Sequence, residues 1–249
     1  MAVDVDVFTD VSRALAGARC VLFDFDGPIC RLFPEDRSKP IADELRREIE
    51  AFGVSHVLGA AERAHKDPHV VLGAVHRALR AGAPGLRELL RVLEERVTAG
   101  ELAAAELVAA HHEWHTPYAD ALIRKLARRG AALAVVTNNS PLAAEAHLDR
   151  RGLLPYFTTV QGRRADDPGL MKPHPDVLFR ALRVLGLGPG DAVMIGDTPT
   201  DVEAAARAGV EFVGYGRNER KVRALCQAEA PTVITSYGPL IEGEWGPGA

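Results

Sequence analysis

The chain is poor in cysteine: Cys20, Cys30 and Cys226 are the only three in 249 residues, and no two of them make a Cys-x-x-Cys pair. An odd, scattered set excludes a disulfide framework and a thiolate zinc site, and points to a reducing, cytoplasmic compartment. Long apolar runs are also missing, since none approaches the roughly 20 residues of a membrane span. The opening Met1-Ala2-Val3-Asp4 is acidic where a secretion signal is basic, so neither export nor anchoring is expected. There is no basic excess: 30 Lys and Arg against 34 Asp and Glu leave a net charge of -4. That balance argues against nucleic acid and acidic membrane as partners and leaves a small molecule.

What is present is the apolar content of a folded protein, 47% hydrophobic against 26% charged residues, enough for one or two domains. Short apolar runs at residues 20–25, 131–137, 157–160, 192–195, 210–215 and 232–235 end in turn signals and read as strands. Between them, Thr116-Pro117, Ser140-Pro141 and Thr198-Pro199 each place a capping residue before a first-turn proline, and Gly130, Gly152 and Gly209 supply stops. Strands alternating with helices predict an α/β fold, a parallel Rossmann-like sheet covered on both faces.

Residues 31–115 break this rhythm. They contain only helix-period stretches punctuated by Asp67-Pro68, Pro84-Gly85 and Gly100, with an apolar stripe of Leu86, Leu89, Leu90, Leu93 and Val97. Because a mid-helix glycine costs about 1 kcal/mol relative to alanine, Gly100 is expected to separate two helices. The domain expectation is therefore a sheet domain of residues 1–30 and 116–249 split by an all-helical insert at 31–115. The glycine-rich end, residues 242–249, is expected to fray.

Ligands of open parallel sheets bind beyond the carboxyl ends of the strands. Those ends carry Asp24-Phe25-Asp26-Gly27, Thr137-Asn138-Asn139-Ser140 and Gly196-Asp197-Thr198-Pro199-Thr200-Asp201, with Met171-Lys172-Pro173 between the last two. Strand periodicity puts Asp24 and Asp26 on one side, where one carboxylate can attack phosphorus and the other can serve as acid and then base. With Asp197 and Asp201 nearby, each carboxylate pair repels by about 4 kcal/mol at ~4 Å and an effective dielectric of ~20, so a cation is required. Oxygen-only ligands select magnesium over zinc. Lys172, Thr137 and Asn138 would hold the transferred phosphoryl group.

These four segments, in this order and over nearly the whole chain, resemble the four motifs of the haloacid dehalogenase superfamily of hydrolases. The resemblance implies that Asp24 is the nucleophile and Asp26 the acid/base. It implies that Mg2+ is held by Asp24, Asp197 and the main-chain carbonyl of Asp26, with Asp201 orienting ligands or a bound water. The insert resembles the helical cap of the subfamily that contains phosphoglycolate phosphatase and β-phosphoglucomutase. Pro28 departs from the pattern, standing where family phosphatases commonly have Thr. Asp26 itself argues against the dehalogenase branch, which lacks that carboxylate.

Each motif has a plain alternative: Thr198 and Asp201 alone would be a capping box, Thr137 a strand residue and Lys172 a solvated charge. All four in order favour chemistry. His111 and His115, four apart beside His112 and Glu113, fit a polar helix end better than a zinc site, because position 116 is Thr116. Arg31, Phe33, His56, His65 and Lys66 are candidates for the inner face of the insert. The expected activity is hydrolysis of a small organic phosphate monoester by a monomer or homodimer. A phosphomutase using the same residues is the alternative, and a non-catalytic phosphate-ligand binder or a phospho-receiver domain fits less well.

Overall fold

The computed structural model describes residues 5–243 and 245. Helix α1 (Val5–Gly17) precedes β1 (Cys20–Phe23), and α2 (Lys39–Ala51), α3 (Ala60–Ala64), α4 (Pro68–Arg80) and α5 (Leu86–Ala110) follow before the chain returns through α6 (Ala119–Arg128) to β2 (Ala132–Val136). From there strand and helix alternate: α7 (Pro141–Arg150), β3 (Thr159–Gln161), α8 (Asp176–Leu185), β4 (Ala192–Gly196), α9 (Pro199–Ala208), β5 (Glu211–Tyr215), α10 (Glu219–Gln227), β6 (Val233–Ile234) and α11 (Gly238–Glu242). All six expected strands are found, in one parallel sheet of order β3-β2-β1-β4-β5-β6.

The register explains why β1 is apolar throughout. Phe23 lies beside Val135 and Ile195, so β1 is flanked by β2 and β4 and covered on both faces. Alternation divides the core: Val21, Phe23, Val135 and Ile195 pack with Leu15 of α1, Leu122 of α6 and Leu148 of α7. Leu22, Val136 and Met194 pack on the other face with Leu178 of α8 and Ala205 of α9. No helix among the described residues is long and apolar enough to cross a membrane.

A separate apolar cluster joins Leu45 and Ile49 of α2, Leu72 and Val75 of α4, and Leu86, Leu90, Leu93 and Val97 of α5. Helix α5 does not stop at Gly100, contrary to expectation, and runs 25 residues, roughly 37 Å. The reason is packing: a Cβ on Gly100 would lie 2.6 Å from Ile41 Cδ1, so the glycine lets α2 approach α5 closely. Beyond it, Ala105 and Val108 of the same helix join the core under the sheet.

Two terminal signals also resolve differently. Thr116 does not cap α6, whose N-cap is Tyr118, but donates its hydroxyl to Gly27 O at 2.5 Å and its N–H to Ile29 O. Within the glycine-rich end, Trp245 is buried and receives Lys125 and Arg129 over its ring, an apolar indole body with cations on its face. Residues 244 and 246–249 lie outside the described residues.

Candidate active site

Every residue singled out at the strand ends, Asp24, Asp26, Thr137, Asn138, Lys172, Asp197 and Asp201, lines one cavity of about 300 Å³ at the carboxyl edge of the sheet. Asp24 continues β1 and donates its N–H to Ile195 O of β4 at 2.9 Å, which fixes where its side chain emerges. Two residues on, Asp26 faces the same cavity, with Oδ1 accepting from Leu32 N–H at 2.9 Å. The turn that follows Asp26 requires Gly27: its φ is +121°, and a Cβ there would sit 2.3 Å from Asp197 Cγ. Pro28 is buried, and its carbonyl accepts from the Tyr237 hydroxyl at 3.2 Å.

Lys172 is buried in a turn with its Nζ 2.8 Å from Asp24 Oδ1, 2.6 Å from Asp201 Oδ1 and 2.9 Å from Val136 O. Asp201 has the anticipated capping role and a second contact besides. Its Oδ2 accepts from Thr198 Oγ1 at 2.6 Å and from Thr198 N at 3.0 Å, closing a capping box on α9, while Oδ1 faces Lys172. Asn138 differs from expectation: its amide donates to Lys172 O at 3.1 Å and accepts from Lys172 N at 2.7 Å, so its side chain positions the lysine. Thr137 donates its hydroxyl to Asn139 Oδ1 at 3.0 Å and accepts from Asn139 N at 3.1 Å.

The carboxylates outnumber the cations within reach. Burial pushes Asp24 up to about 7 against the pull of Lys172, and Asp201 and Asp197 add to the rise. Burial likewise pushes Asp197 up to about 7, opposed by Lys221, whose Nζ is 2.7 Å from Oδ2. Burial would raise Asp201 too, but the Lys172 charge and the Thr198 bonds hold it below the usual range. Asp26 is pushed up to about 6 by burial, opposed by its bond from Leu32. Burial would lower Lys172, but Asp201 and Asp24 outweigh it and the net shift is upward.

Asp24, Asp197 and Asp201 each bring a ligand oxygen within 4.8 Å of the others. Asp197 Oδ1 is buried without a hydrogen-bond partner, an expensive state for a carboxylate oxygen unless a cation meets it. Buried oxygen donors short of positive charge fit a hard divalent cation. The Asp26 carboxylate is outside this group.

Sequence reasoning missed other residues of the cavity wall. Arg217, Arg220 and Lys221 follow β5, whose carboxyl end obeys the same rule as the ends that were read, and Asp67 and His69 come from the start of α4. Of the insert candidates, Arg31 and Phe33 line the cavity; His56, His65 and Lys66 do not. His111 caps the end of α5 and His115 Nε2 lies 3.0 Å from Val108 O; neither belongs to a group of three potential metal ligands among the described residues.

The insert is tied to the site through Glu101 of α5, which is 0% exposed. Its carboxylate accepts from Arg163 Nη1 at 2.7 and 2.9 Å, Ser140 N at 2.7 Å and Asn139 Nδ2 at 3.2 Å, and faces His69 Nε2 at 2.7 Å. Arg163 also donates to Glu94 at 2.7 Å. Nothing in the spacing of these residues announced the network, because its members lie 38 and more positions apart wherever insert meets sheet.

A parallel sheet with carboxylates, a lysine and a threonine gathered at its carboxyl edge defines an α/β protein whose site is built for anion and cation chemistry. The description haloacid dehalogenase-like hydrolase matches residues 18–209. The chain is 31% identical to a plasmid-borne phosphoglycolate phosphatase of Cupriavidus necator over 79% of this chain and 80% of that one. It is 29% identical to the phosphoglycolate phosphatase of Rhodospirillum rubrum over 91% and 90% of the two chains. A predicted phosphatase from Clostridium acetobutylicum shares the fold, with a TM-score of 0.62 at 20% identity over 90% of this chain and 97% of that one. The chain belongs to the haloacid dehalogenase-like hydrolases.

Proposed function

We propose that this hydrolase cleaves small organic phosphate monoesters in two steps through an aspartyl phosphate on Asp24. The observation behind the reading is the grouping of Asp24, Asp26 and Lys172 on one cavity wall, with Lys172 Nζ 2.8 Å from Asp24 Oδ1. An Asp24 oxygen attacks phosphorus as the bond to the leaving oxygen breaks, and Asp26 gives that oxygen its proton, releasing the alcohol. Water then attacks phosphorus, Asp26 takes its proton, and the bond to Asp24 breaks to give inorganic phosphate. Lys172 stabilises the charge that builds on the phosphoryl oxygens, and Asn138 keeps it in place by gripping its main chain at both ends. Mg2+, held by Asp24, Asp197 and Asp201, would offset charge on the phosphate and on the crowded carboxylates.

Phosphate release from a monoester panel, with Mg2+ and with excess chelator, tests the reading against the Asp24→Asn variant. Mg2+-dependent release that falls by more than about 10³-fold in the variant is expected. 2-Phosphoglycolate heads the panel because it is the substrate in the names of two relatives aligned over most of their length. Retained turnover in Asp24→Asn would remove the nucleophile assignment.

A further inference from the structure

The cavity wall carries basic side chains that its carboxylates do not engage. Of its basic residues, Lys172 is engaged by Asp24 and Asp201, Lys221 by Asp197, and His69 by Asp67 and Glu101. Arg31, Arg217 and Arg220 also line it, yet none of the three makes a side-chain hydrogen bond or ion pair among the described residues. Arg31 Nε is buried with no partner, although its main chain is anchored by an N–H bond to Trp114 O at 2.7 Å. A buried guanidinium nitrogen without an acceptor is costly, and an anion from outside would relieve it.

Position in the sheet says how far that anion lies from the phosphoryl group. Asp24 follows β1, whereas Arg217 and Arg220 follow β5, two strands away in the order β1-β4-β5. At about 4.8 Å per strand the two strand ends are roughly 10 Å apart, and an arginine side chain reaching inward leaves room for a short carbon skeleton. Thr137 follows β2, on the opposite side of β1, so this threonine and the free arginines flank the nucleophile. A guanidinium fork pairs with a carboxylate or a phosphate alike.

We propose that Arg31 and Arg220, with Arg217 beside them, form a subsite for a second anionic group, which makes the preferred substrate a compact phosphate monoester bearing a carboxylate or a second phosphate. The proposal rests on the phosphatase reading and adds the feature that selects the substrate.

Steady-state kinetics on matched pairs test it: 2-phosphoglycolate against 2-hydroxyethyl phosphate, and propane-1,3-diol bisphosphate against its monophosphate. Wild type should prefer the member with the second anion. Arg31→Met and Arg220→Met should lose about 10- to 100-fold of that preference, chiefly in KM, the size of a lost charge-assisted hydrogen bond. Arg223→Met, an exposed residue of α10 paired with Glu219, should keep it. The pair that responds tells carboxylate from phosphate. Equal preference within each pair in wild type, or an unchanged preference in both arginine variants, overturns the subsite. If no phosphate is released from any compound, hydrolysis is the reading that fails, and calorimetry decides the subsite. Tighter wild-type binding of the second-anion member, lost in Arg31→Met, upholds it; equal binding of both overturns it.

Discussion

Replacing Glu101 by glutamine removes one buried negative charge and leaves its partners in place. The structure gives the size of the loss. Glu101 neutralises both Arg163 and His69, and only Glu94 and Asp67 remain to face those cations afterwards. Glutamine also turns an NH₂ group toward donors, either Arg163 or the Ser140 N–H. Breaking a buried ion pair from one side costs about 3–5 kcal/mol, a large share of the ~5–15 kcal/mol that keeps a domain folded. At about 2–4 °C per kcal/mol for a chain of this size, Tm should fall by roughly 6–20 °C. Urea unfolding should show the midpoint move at unchanged m. The Glu101→Leu, Arg163→Met double variant should lose less than the two single variants together, because it removes both charges. A Glu101→Gln variant within about 1 kcal/mol of wild type would refute the view that this network holds insert to sheet.

Gly100→Ala sets helix propensity, a gain of about 1 kcal/mol, against a Cβ 2.6 Å from Ile41 Cδ1. Overpacking costs about 1–3 kcal/mol, so a net loss is expected in thermal unfolding, relieved in an Ile41→Val background; a stabilised Gly100→Ala would contradict the close helix approach. For His69, burial would lower the imidazole, but Asp67 and Glu101 outweigh it and push it up to about 10. A folded-state value raised above the ordinary ~6.5 gives stabilisation that is complete below that pH and is lost as pH rises through the folded value. Unfolding free energies should therefore show a larger gap between wild type and His69→Gln at about pH 6 than at about pH 10, and a gap that widened with pH would reverse the assignment.

Local pattern alone determined the six strands, their parallel pairing and the polar residues at their carboxyl ends. An apolar run followed by Asp24-Phe25-Asp26-Gly27 reports its own burial and its own turn, and Thr198 with Asp201 reports its own cap, because those interactions span only a few residues. Tertiary structure alone decided which residues from distant segments face each other. Gly100 reads as a helix stop until Ile41 is packed against it. Asn138 reads as a phosphate ligand until Lys172, 34 residues away, takes both ends of its amide. Glu101, Arg163 and His69 carry no local signal, and only the packing of insert against sheet brings them together. Arg31, Arg217 and Arg220 became parts of one cavity only when the order of the strands set β5 two places from β1. Periodicity encodes which face of an element is buried; what meets that face depends on how the elements are arranged in space.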